Sequence, residues 1–125
     1  MTSSNSYSHL VIKSTTGFDR LETTNQALTV ATAALTAEVP TSVWLTGDSV
    51  FLAVPGRANE FELAHGMGFA DMIEMIRTHG TLTACVQCVA RRGLTAADLL
   101  NGVRIAGAAS FVDEIMRAGT QALVY

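Results

Sequence analysis

The sequence predicts a single α/β domain: a three-layer sandwich with a mainly parallel five-stranded sheet and helices on both faces. Three observations carry this expectation. Short aliphatic and β-branched runs alternate with longer segments of helical period, the pattern of strands interleaved with helices. At least one of the short runs, Ser42-Val43-Trp44-Leu45, is nearly all apolar, as in a strand covered on both sides. The length of 125 residues, 49% hydrophobic and 15% charged, fits one compact domain and is too short for two ordinary ones.

Each element follows in order. His9-Leu10-Val11-Ile12-Lys13 reads as a first strand, left through the small polar turn Ser14 to Gly17. Asp19 with Glu22 three residues on resembles a capping box, and Ala27, Val30, Ala31, Ala34 and Leu35 share one helical face, with Pro40 marking the helix end. Ser42 to Leu45 is the second strand and Thr46-Gly47-Asp48 its exit turn. Ser49 to Glu62, with Pro55-Gly56 and mixed character, is expected to be a long surface loop or an insertion. Phe69, Met72, Ile73 and Ile76 repeat at i, i+3, i+4 and i+7 and predict a helix closing at His79-Gly80. Thr81 to Ala84 is the third strand, with Cys85 at its end opening a strand-to-helix loop. Thr95 and Asp98 cap a short helix through Leu100, and Asn101-Gly102 turns into the strand Val103-Arg104-Ile105. Phe111, Val112, Ile115 and Met116 form the apolar face of a last helix. Gly119 ends it, and Ala122 to Tyr125 is the terminal strand.

Composition narrows the function classes. A mean hydropathy of +0.32 supplies ample core material, which excludes disorder, and two cysteines do not make a disulfide mini-protein. The formal charge is −3 and the pI about 5.5. The one lysine and seven arginines are scattered apart from Arg91-Arg92, so no nucleic-acid partner is expected. No run approaches the roughly 18 apolar residues of a membrane span, and Met1 to Ser8 is a polar stretch, expected to be a flexible tail rather than an export signal. A cytoplasmic location is therefore expected.

Cys85 and Cys88, three apart without an export signal, point to thiols used in chemistry. In parallel sheets, reactive groups gather at the carboxyl ends of strands, where loops converge and helix N-termini present partial positive charge. Cys85 is placed at such an end. A thiol reacts as thiolate, and a guanidinium from Arg91 or Arg92 or a helix N-terminus would lower its pKa from about 8.5. The alternative is that both cysteines pack as small hydrophobes. A zinc site would need His65 or His79 brought across to the two sulfurs, so no metal is expected. Gly47-Asp48 and Gly66-x-Gly68 lack a full phosphate-loop pattern, and no G-x-S-x-G elbow exists; no cofactor is expected. Trp44, between Val43 and Leu45, reads as core.

The run Cys85-Val86-Gln87-Cys88-Val89-Ala90-Arg91-Arg92-Gly93-Leu94, after a short strand and before Gly102-Val103-Arg104-Ile105, resembles the DsrE/DsrF-like family, and within it the YchN-like branch, related to the TusD-like sulfur-relay proteins. The Leu10 to Gly17 strand and turn, the Leu45 to Val50 strand exit and the last strand ending in Tyr125 extend the likeness over nearly the whole chain. The resemblance implies trimers or hexamers, sometimes of mixed chains. It also implies that Cys85 accepts sulfur as a persulfide from a donor protein and passes it to an acceptor. Arg91, Arg92 and the backbone N–H groups of the loop around Gly93 would then stabilise the anion. Relay members carry small residues where this chain has Cys88. A second thiol there can attack a Cys85 persulfide, releasing sulfide and leaving a disulfide. A thiol-disulfide redox protein and a non-catalytic oligomeric interaction module are the competing readings. The sparse charge independently favours a surface partly covered by other subunits.

Overall fold

The computed structural model describes residues 7–125. Residues 1–6, most of the expected tail, lie outside the described residues. Tyr7 is exposed, whereas Ser8 already donates its N–H to the Gly119 carbonyl at 2.8 Å.

Five strands, β1 (His9–Ser14), β2 (Thr41–Leu45), β3 (Thr81–Cys85), β4 (Arg104–Ala106) and β5 (Thr120–Val124), form one sheet in the order β4-β3-β2-β1-β5. Every pairing is parallel, so all five carboxyl ends lie along one edge. Alternation sorts the side chains into two faces. Ile12, Val43, Leu45, Leu82 and Ala84 point into the main core with Ala27, Leu28 and Ala31 of α1 (Leu21–Thr36) and Met72, Ile73 and Ile76 of α2 (Phe69–His79). Lys13, Trp44, Thr83, Cys85 and Arg104 belong to the other face, which α4 (Ala108–Ile115) covers. A shorter helix, α3 (Val86–Arg91), continues directly from β3.

Several local expectations change. The Asp19/Glu22 capping box does not form: a 3₁₀ turn, Phe18–Arg20, precedes α1, and the Asp19 carboxylate instead accepts the Gly17 N–H at 2.8 Å. The buried face of α1 includes Thr24 and Thr32, whose hydroxyls donate to carbonyls one turn back and so bury without an orphaned donor. Val30, Ala34 and Leu35 are only half-buried.

The segment Ser49 to Glu62 is not a surface loop. It holds the 3₁₀ helices Gly47–Ala53 and Arg57–Glu60, and Val50, Leu52, Ala53, Ala58 and Phe61 are core residues. Val50 with Ala53 and Ala58 with Phe61 are each three residues apart, which suits the 3₁₀ period. Finally, no loop separates β3 from α3: Cys85 is itself the N-cap residue.

Helix α4 also departs from the simple reading of its apolar face. Val112 and Met116 are 51% and 76% exposed, and the one residue of the helix that is fully buried is Glu114. The Glu114 carboxylate accepts the Trp44 indole N–H at 2.7 Å and approaches His9 Nε2 at 3.4 Å and an Arg104 guanidinium nitrogen at 3.3 Å. Arg104 also donates to Thr83 Oγ1 at 2.9 Å and lies over the Trp44 ring. A buried charge survives only when paired and hydrogen-bonded, and this cluster fastens α4 to the sheet.

Candidate functional site

Cys85 ends β3 beside Ala106 of β4, at the sheet edge where all carboxyl ends converge. It shares its face with Trp44 and Lys13, which pair with each other across β1 and β2. Together with Thr46, Val86, Gln87, Gly107, Ala108 and Phe111 these residues line a cavity of about 110 Å³ between the sheet edge and the start of α4. Trp44 and Phe111 meet edge to face, 5.3 Å between ring centres, and the Lys13 ammonium lies 5.1 Å over the Phe111 ring. The larger open grooves lie elsewhere. One of about 520 Å³, lined by Leu35, Glu38, Pro40 and His79 among others, sits at the amino ends of the strands and has no cysteine in its lining.

The environment of Cys85 favours its thiolate. Partial burial raises the pKa, but hydrogen bonds from the Cys88 backbone and thiol and from the Gln87 N–H, with the Lys13 charge, bring it below the usual thiol value. The N–H groups are available because α3 starts at Val86, so its first turn has no intrahelical acceptor for them.

Cys88, in the first turn of α3, is buried and accepts the Gly47 N–H at Sγ, 3.1 Å away. That contact depends on Gly47, which has φ +55°, and a Cβ there would meet the Thr15 carbonyl oxygen at 2.8 Å. Both cysteines are free thiols.

The residues suggested as anion-stabilising sit apart from the cavity. Arg92 donates through Nε and a terminal nitrogen to Asp48 at 3.0 and 2.7 Å, and through the other to the Cys88 carbonyl at 3.1 Å. It ties the end of α3 to the 3₁₀ helix at Gly47–Ala53. Gly93, at φ +68°, terminates α3: its N–H reaches the Ala90 carbonyl and that of Leu94 the Val89 carbonyl, the two bonds of a Schellman cap. Arg91 is exposed. None of the three lines the cavity. The cation beside Cys85 is Lys13, 72 positions earlier in the chain. Its only sequence signal was an ammonium at the carboxyl end of a strand, on the face a parallel neighbour would share.

The model of the DsrE/DsrF-like family matches residues 9–122. Among solved structures, the YchN protein of E. coli superposes with a TM-score of 0.75 at 18% identity, over 94% of this chain and 97% of that one. A protein of unknown function from Bacteroides thetaiotaomicron gives 0.67 at 22% identity, over 99% and 100%. Another from Methanobacterium thermoautotrophicum gives 0.67 at 13% identity, over 95% and 99%. No curated protein matches the sequence. At these identities the likeness is one of fold.

Proposed function

Since the chain belongs to the DsrE/DsrF-like family, we propose that it is a persulfide carrier: Cys85 takes up one sulfane sulfur from a donor and hands it to an acceptor in the cytoplasm. The observation that carries this reading is the thiol itself, partly exposed at a sheet edge, ionised more readily than usual and opening into a small cavity. The thiolate attacks the outer sulfur of a donor persulfide. The donor's S–S bond breaks, its own sulfur leaves as thiolate, and Cys85 carries the new S–S bond. The N–H groups that favour the thiolate are placed to favour the persulfide anion as well.

Cys88 acts as an auxiliary thiol. Its hydrogen bond to Cys85 stabilises the anion, and its burial limits direct attack by large reagents. The same proximity favours a second reading, a Cys85–Cys88 dithiol that cycles with a disulfide. Cyanide treatment of protein loaded with glutathione persulfide separates the two. A carrier releases about one thiocyanate per chain, and Cys85→Ser releases none. A dithiol redox protein instead reduces the incoming sulfur to sulfide, loses two hydrogen atoms from its mass as the Cys85–Cys88 disulfide forms, and yields no thiocyanate.

We also propose that the protein is a homo-oligomer, a trimer or hexamer. Support comes from the apolar side chains left uncovered on α4 and its surroundings: Val112 and Met116, with Val86 and Val124, are each 45% exposed or more.

A further inference from the structure

We propose that the Cys85 cavity is a subsite for a small inorganic sulfane anion of the thiosulfate type, with Lys13 holding its sulfonate end. This rests on the persulfide reading above and names the donor class for the same thiol. The cavity, about 110 Å³, equals roughly three to four water volumes at about 30 Å³ each. That accommodates a compact tetrahedral oxyanion but not a peptide strand. Its walls are selective in charge: no carboxylate lines it, and its polar side chains are those of Lys13, Thr46 and Gln87 beside the thiol. Lys13 is the only lysine in the chain and has no carboxylate partner among the described residues. Its ammonium rests on the Phe111 ring instead, where it remains free to accept an anion. Trp44 and Phe111 make the remaining wall apolar, which strengthens a charge contact by excluding water.

The transfer balances without another reagent. The Cys85 thiolate attacks the outer sulfur of thiosulfate. The bond between the two thiosulfate sulfurs breaks, and its electron pair leaves on the sulfonate sulfur as sulfite. Cys85 becomes a persulfide anion. Three negative charges stand on each side and no proton moves. Lys13 offsets the charge that gathers on the departing sulfite.

The test compares wild type, Lys13→Met and Lys13→Arg against three reagents: thiosulfate, inorganic polysulfide and neutral iodoacetamide. Wild type should release about one sulfite per chain with thiosulfate while gaining one sulfur. Lys13→Met should slow that step at least about tenfold, the scale of one lost charge-assisted contact, and more than it slows iodoacetamide. Lys13→Arg should recover much of the rate, and polysulfide should load all three proteins, which also certifies the fold of the variants. Wild type that loads from polysulfide but not from thiosulfate overturns the subsite and leaves the carrier reading standing. Equal slowing with thiosulfate and iodoacetamide overturns it too, because Lys13 would then act only on the thiol. Failure of both sulfur donors removes the carrier reading and this inference together.

Discussion

At the residue scale, the two thiols differ in what surrounds each sulfur. Cys85 gains from backbone N–H groups, the Cys88 thiol and Lys13 what partial burial takes away, whereas Cys88 is packed under the Gly47 N–H. Alkylation of the native protein should therefore occur at Cys85 first. Its rate against pH should inflect below the ordinary thiol value of about 8.5. Cys88→Ala removes a donor to the thiolate and should move that inflection upward. Arg92→Ala should leave it in place while costing about 1–2 kcal/mol of stability, the worth of a partly exposed ion pair with an added carbonyl contact. Stopped alkylation with peptide mapping checks the order of labelling and the three inflections, and denaturant unfolding checks the stability loss. The cysteines were legible in the sequence because their spacing and strand-end position are local facts. Lys13 was not, because what places it beside Cys85 is β1 lying two strands from β3, and the arginines nearer in sequence, neither of which lines the cavity, drew the reading instead.

At the element scale, strands and long helices were legible because apolar runs and 3.6-residue repeats dominate them. The 3₁₀ helices at Gly47–Ala53 and Arg57–Glu60 were not, since their short period matches neither template and Pro55-Gly56 reads as loop. If that segment is core, Leu52→Ala should cost about 2–4 kcal/mol in denaturant unfolding; a surface loop would lose almost nothing. Glu114 was hidden by the opposite logic, a carboxylate in an apolar repeat that reads as solvent-facing. Burial raises its pKa, but the nearby Ser42 hydroxyl, the Trp44 N–H, His9 and Arg104 bring the net value below the usual range. A carboxyl with a depressed folded pKa contributes stability above its unfolded value, about 4.3, and loses it as pH falls through the folded one. The stability gap between wild type and Glu114→Gln should be widest near neutrality and should shrink below about pH 4, measured by thermal melts across pH. A gap that stays constant through acid would show that α4 is held by packing alone.

At the scale of the whole molecule, a five-stranded parallel sheet places every strand exit on one edge, and Cys85 stands there at the end of β3. The opposite edge carries the open groove of about 520 Å³. Helix α4 serves two ends. Its inner side lines the Cys85 cavity with Ala108 and Phe111 and is tied to the sheet through Glu114, and its outer side leaves Val112 and Met116 to solvent in the single chain. Light scattering should give a mass three or six times 13.2 kDa, and Met116→Glu should lower it if the uncovered face is the contact. Fold class was readable from composition and period. The proposed assembly has only a shortage of charge behind it in the sequence, because the sequence does not say which apolar residues the fold leaves outside.

The central claim is that Cys85 alone accepts sulfur, and intact mass measurement of the native protein after exposure to a persulfide donor tests it most directly. Wild type and Cys88→Ser should each gain the mass of about one sulfur atom, with Cys88→Ser keeping it longer, while Cys85→Ser should gain nothing. An equal gain in Cys85→Ser, or no gain in wild type with Cys85 shown to be free, would contradict the account.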